Sequence, residues 1–147
     1  MKLGGFMSEA LLRATFENQL VKGAVFGNKF PEIDHEKYFV VVGLSEAKVF
    51  TCSFYINSGI HHSIVQNQEL LNLQVPIRKE DHDFLHHDSF ICCSTPLYFE
   101  GQKIYHWKCA HTCRYMGKLT PQMLEIVTSC IINSGLLTEE EIESYFS

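Results

Sequence analysis

Apolar and polar positions in residues 8–20 alternate at helical spacing: Leu11, Leu12, Thr15, Phe16, Gln19 and Leu20 fall on one repeat behind Ser8, a capping residue type. An amphipathic N-terminal helix is predicted there, a surface helix or extension ended by Gly23. The repeat then changes. Residues 24–26 read as a short strand, followed by a polar loop over 27–35. Residues 38–43 form a nearly unbroken β-branched and aromatic run, the pattern of a strand buried on both faces. Residues 49–56 make the next strand, an antiparallel hairpin partner across the short turn 45–48.

Beyond Asn57-Ser-Gly59 the pattern weakens. The segment 60–73 is ambiguous, because residues 66–73 fit a short helix or an excursion of the loop, and both readings stay open. Val75-Pro-Ile77 resembles a short edge strand, residues 89–94 a further strand, and residues 103–107 another, with Pro96 confined to an edge or end. Near the C-terminus the boundaries are explicit. Thr120 suits an N-cap, Pro121 the first helical turn and Gly135 the residue past the end, so a closing helix is predicted between them. Thr138-Glu-Glu-Glu141 is a capping-box pattern that opens one more short acidic helix. Short strands finished by helices predict a mainly β fold with α elements: a strongly curved sheet or partly open antiparallel β-barrel carrying an N-terminal helix and C-terminal helices.

Composition adjusts this picture in three places. The 147 residues, 46% of them hydrophobic and 20% charged, suit one folded domain, divided as an N-terminal helical extension (1–22), a barrel with its closing helix (23–137) and a short acidic helix (138–147). A formal net charge of −5 means that a nucleic-acid partner requires a local basic site rather than a positive surface. The six cysteines accompany an amino terminus without a signal-peptide pattern, and no apolar run is long enough to span a bilayer. A cytoplasmic protein with reduced thiols and no membrane partner is the expectation.

The order of the motifs is similar to that of the MazF/PemK family, the small SH3-like barrels that form the toxin components of bacterial toxin–antitoxin pairs. The residues that carry this resemblance are Tyr38-Phe-Val-Val-Val-Gly-Leu-Ser45, Phe54-Tyr-Ile-Asn-Ser58, Asp88-Ser-Phe-Ile-Cys-Cys-Ser94 and Gly117-Lys-Leu-Thr-Pro121. It spans residues 23–137. It implies an SH3-like barrel, a metal-independent endoribonuclease acting on single-stranded RNA, no cofactor, an antitoxin protein as partner, and a homodimer. It further implies an arginine in the loop before the buried strand and a threonine or serine in the turn after the next one. The turn position falls on Asn57 and Ser58. The arginine position falls on residues 35–37, where this chain has none.

Metal-free RNA cleavage requires help in deprotonating a 2′-hydroxyl, a charge-stabilising donor at the phosphate, and a proton for the leaving oxygen. Under the resemblance, Lys37 is the candidate cation, Ser58 the phosphate donor, and His35 and His61 the acid–base candidates. Asn57, His62, His86 and His87 are candidate RNA contacts. The alternative for each is a solvated loop residue. In the patch Asp81-His-Asp-Phe-Leu-His-His-Asp88, the competing reading has Asp88 or Ser89 bonded to loop backbone and the histidines partly exposed. Cys109, His111 and Cys113 alternate as one face of a strand would, which makes a zinc site conceivable, but parallel ligands on a strand do not converge, and a metal-free reading is preferred. Tyr98, Phe99, Tyr105 and Trp107 suit stacking on unpaired bases or, more ordinarily, packing. A second functional class also fits the chain: a catalytically silent SH3-like binding module from a phage or mobile element, engaging a protein partner.

Overall fold

The structure is a computed structural model that describes residues 2–147. Among these residues, seven strands form one open antiparallel sheet in a mixed α/β fold with six helices. This is the fold class expected from the sequence, a small partly open barrel flanked by an N-terminal helix and C-terminal helices.

Helix α1 (Lys2–Gln19) comes first, beginning upstream of the predicted start, and leads into β1 (Ala24–Asn28). Strands β2 (Lys37–Leu44) and β3 (Phe50–Asn57) make the expected hairpin. The ambiguous stretch resolves into two single-turn helices, α2 (His62–Val65) and α3 (Gln68–Leu71), each started by a side chain that accepts from the turn's backbone: His61 for the first and Asn67 for the second. Strand β4 (Gln74–Ile77) lies on the sheet edge, where Pro76 is tolerated. Next come β5 (Ser89–Cys92), β6 (Leu97–Glu100), α4 (Gly101–Cys109), β7 (Cys113–Lys118), α5 (Pro121–Asn133) and α6 (Glu139–Phe146). The order across the sheet is β4-β5-β3-β2-β1-β7, with β6 also on β3. Strands β5 and β6 flank the same strand in succession, Asn57 opposite Phe90 and Phe50 opposite Glu100, so they form one interrupted strand whose register slips at the turn around Cys93 and Ser94.

Side-chain alternation divides the core between the two faces of the sheet. Val40 and Val42 of β2 join Val25, Phe54 and Ile91 on the face covered by α5 and α6, where Val127 and Ile131 of α5 are buried. Phe39 and Val41 join Phe26 on the other face, under Phe16 and Leu20 at the end of α1 and Ile104 of α4. This two-sided burial is why the β2 sequence shows no polar alternation. An aromatic cluster of Phe30, Phe39, Phe99 and Trp107, most of its pairs edge-to-face and its ring centroids 5.2 to 6.3 Å apart, fills the second face. Phe99 and Trp107 therefore pack rather than line a groove.

Two expectations are corrected. Residues 103–107 are helical, within α4: Ile104 and Trp107 stand three apart and put one stripe onto the aromatic cluster, while the strand partner on β3 is the unforeseen β6. Cys109, His111 and Cys113 do not share a strand face. They belong to the end of α4, a turn residue with φ 62°, and the start of β7 respectively, and Cys113 is buried while Cys109 is exposed. Among the described residues no group of three His, Cys, Asp or Glu side chains is placed to share a metal ion.

The C-terminal boundaries match the sequence. Thr120 Oγ1 accepts from the Met123 N–H at 3.2 Å, Pro121 occupies the first turn, and Gly135 takes φ +78° beyond the end. In α6 the Thr138 side chain and Glu141 complete a reciprocal capping box. No helix among the described residues is long and apolar enough to cross a membrane.

Candidate nucleic-acid site

The β2–β3 register determines which residues meet at one end of the sheet. Tyr38 lies opposite Ile56, so Lys37, one residue earlier, faces Asn57, and Ser58 follows at the turn. Strand β5 adds itself with Phe90 opposite Asn57, which delivers His86, His87 and Ser89 to the same end. The result is a cavity of about 350 Å³ lined by His35, Lys37, Ser58, His86 and His87 over the apolar Ile56 and Leu85. A shallower depression of about 470 Å³ lies beside it, shares Lys37 and Ser58, and is lined by Asn57, His61 and Ile64.

Five of the eight candidate residues therefore surround one cavity, and Asn57 and His61 border its neighbour. His62 lines neither; it is exposed and its ring stacks on His61 at a centroid distance of 4.4 Å.

Lys37 is half-buried. Its ammonium donates to Asn57 Oδ1 and lies 5.3 Å from the centroid of the Tyr55 ring. No carboxylate lies within 4.0 Å of it among the described residues. Burial holds its pKa below the ordinary lysine value. A cation in this state has been stripped of part of its hydration without receiving an anion in return, which favours capture of one.

The histidines differ in what they are free to do. His35 Nδ1 pairs with Asp34 Oδ1 at 3.0 Å, and that hydrogen bond keeps the Asp34 carboxyl below the usual carboxylate range. His61 Nδ1 accepts the Ser63 N–H at 3.2 Å as the cap of α2, which ties one ring nitrogen to the fold. His86 and His87 are exposed at the cavity, with His87 Nδ1 3.4 Å from Ser89 Oγ. The structural alternative for this patch holds in part: Asp88 Oδ1 accepts the Lys79 N–H at 2.9 Å, and Ser89 Oγ donates to the His87 carbonyl at 3.0 Å. His82 belongs wholly to the scaffold. It is 3% exposed, with Nδ1 3.2 Å from the Arg78 carbonyl while Nε2 accepts the Thr120 N–H at 3.1 Å.

Sequence reasoning assigned no role to Arg114. It stands on β7 opposite Gly27, which on its other side lies opposite Tyr38, so the sheet carries Arg114 to the loop that lacks an arginine. Its Nε and Nη2 donate to the two Glu36 oxygens, each at 2.7 Å. Those bonds are the main reason that the Glu36 carboxyl lies below its ordinary range and the Arg114 guanidinium above its own. Gly27 makes room for the pair: a Cβ there would stand 2.9 Å from the Glu36 carboxyl carbon. No local signal reveals this contact, because 78 positions separate the partners.

Compared with known proteins, the chain matches no family model and no curated protein sequence.

Proposed function

We propose that the chain is a MazF/PemK-like toxin component, a metal-independent endoribonuclease that cuts single-stranded RNA in the cytoplasm and is restrained by an antitoxin protein. One observation supports the reading above the others: Lys37 and Ser58, at the two ends of the β2–β3 hairpin, share a single cavity with His35, His86 and His87. In this reading a histidine takes the proton of a 2′-hydroxyl, the 2′ oxygen bonds to phosphorus, and the bond to the 5′ oxygen breaks. A second histidine protonates that leaving oxygen, so the products are a 2′,3′-cyclic phosphate and a 5′-hydroxyl. Lys37 and the Ser58 hydroxyl stabilise the charge that grows on the phosphoryl oxygens. The homodimer rests on the resemblance.

Purified protein incubated with single-stranded RNA in EDTA is expected to release fragments with cyclic phosphate ends. Lys37→Ala and Ser58→Ala are each expected to slow that release by roughly 10²-fold or more. RNA that stays intact at high protein concentration would sink the enzyme reading. Growth arrest on expression in a bacterial host is the expected cellular counterpart.

A second reading, a catalytically silent SH3-like module that binds a protein, is favoured by one feature. Lys37 and Arg114 are engaged within the fold, Lys37 by Asn57 and Arg114 by Glu36. Recovery of a host protein partner together with the absence of nuclease activity selects it.

A further inference from the structure

A third depression, about 300 Å³, lies beyond the proposed cleavage cavity and shares one wall with it, the Glu36 side chain. Its remaining lining includes Lys29, His111, Thr112 and Arg114. We infer that this depression is a second phosphate-binding subsite, which holds a neighbouring nucleotide of the RNA strand whose scissile phosphate lies at Lys37. The inference rests on the ribonuclease reading and adds the course of the strand across the protein.

Charge supports it first. In a chain of net charge −5, this hollow gathers Lys29 and Arg114 against a single carboxylate, with His111 alongside. Glu36 engages only the Nε and one Nη edge of the Arg114 fork, so this side chain, 61% exposed, keeps further N–H donors for an anion. Lys29 has no carboxylate within 4.0 Å among the described residues.

The backbone supports it independently. His111 holds φ 62°, a conformation that a residue with a Cβ adopts at a cost and that persists only where its surroundings impose it. They do so here. The His111 N–H donates to the Lys108 carbonyl at 3.0 Å, the Thr112 N–H to the Trp107 carbonyl at 3.0 Å, and the Lys29 N–H to the Thr112 carbonyl at 3.0 Å. Thr112 Oγ1 then donates to Oδ1 of Asn28, which is 1% exposed. The turn that carries His111 and the strand end that carries Lys29 are thus bonded into one unit, and their side chains flank the hollow from a prepared frame. Both side chains are exposed, so an anion entering the hollow can reach them without displacing packed neighbours.

The test uses the full chain, unmodified RNA dinucleotides and hexanucleotides for cleavage, and a fluorescent 2′-O-methyl hexanucleotide for binding, which cannot be cut. The variants are Lys29→Ala, which alters one exposed side chain, and His111→Gly, which keeps the positive φ. The double variant is expected to lower the ratio of hexanucleotide to dinucleotide kcat/KM about tenfold, and to reduce the slope of log affinity against log salt for the hexamer by roughly 0.7 for each phosphate that is no longer neutralised. Cleavage that persists with both quantities unchanged overturns the subsite and leaves the nuclease. A wild-type chain that binds the hexamer with a slope dependent on Lys29 and His111, yet cuts nothing, supports the subsite and overturns the nuclease. A wild-type chain that neither binds nor cuts overturns both.

Discussion

Replacing His82 by leucine separates scaffold from site among the clustered histidines. The ring is buried, and its two nitrogens join the loop that carries His86 and His87 to the start of α5, through the Arg78 carbonyl at 3.2 Å and the Thr120 N–H at 3.1 Å. Leucine preserves most of the volume against Phe84, whose ring centroid is 5.6 Å away, so the loss is mainly polar. An unsatisfied donor in this setting costs about 1–3 kcal/mol, and the second bond contributes about 0.5–1.5 kcal/mol. A total of about 1.5–4.5 kcal/mol corresponds to a fall in Tm of roughly 5–15 °C for a domain of this size. Thermal and urea unfolding followed by far-UV circular dichroism measure it, with His86→Leu as the comparison. His86 is exposed, and its substitution is expected to change stability by no more than about 0.5 kcal/mol. Amide exchange at Thr120 and Met123 should accelerate in the His82 variant alone. Equal Tm values for the two leucine variants would refute the structural assignment of His82.

Two further predictions concern charge. Glu36 has a folded-state pKa below its unfolded value near 4.5, chiefly through the Arg114 hydrogen bonds, so the stabilisation it contributes is fully present above about pH 4.5 and is lost as pH falls through the folded value. Because the pair is partly exposed, the contribution is about 1 kcal/mol or less, and the stability gap between wild type and Glu36→Gln should close as urea titrations move from about pH 6 to about pH 3. A gap that widens on acidification contradicts the assignment. On the ribonuclease reading, Lys37→Met should slow RNA cleavage by roughly 10²-fold or more while leaving stability unchanged or raised by up to about 1 kcal/mol, since a half-buried ammonium without an anion contributes little to folding. A fall in Tm of several degrees would show that Lys37 is structural.

The parts of the fold legible in the sequence are those decided by local chemistry. Thr120, Pro121 and Gly135 bound α5 through backbone requirements met within a few residues, and Thr138 with Glu141 does the same for α6. The hairpin of β2 and β3 was visible because a short turn leaves few alternatives. Residues 103–107 were not legible as helix. Ile104, Tyr105 and Trp107 suit either state over so short a run, and tertiary context decides: the Gly101 N–H donates to the Val49 carbonyl, and Ile104 fills the space between α1 and the sheet. The motif spacing of Cys109, His111 and Cys113 misled for the same reason, because the chain passes from helix to turn to strand inside it. That Lys37, Asn57 and Ser58 stand together was legible, because the hairpin pairs its own two ends. Arg114 was not, since only the pairing of β7 with β1 brings it to Glu36.

That dependence on pairing makes the site a property of strand register as much as of residue identity. Lys37 meets Asn57 because Tyr38 opposes Ile56, and the two β2 neighbours Val40 and Val41 commit their side chains to opposite cores. A slip of one residue would exchange Phe39 and Val41 with Val40 and Val42 between faces already filled to native density, and would carry Lys37 away from the end of the sheet. The bulge between Val41 and Gly43 confines the irregularity to the far end of the hairpin, leaving Tyr38 to Val41 in regular register next to the cavity. Phe39, Val40, Val41 and Val42, none of which lines the cavity, are therefore what hold the Lys37 ammonium in position.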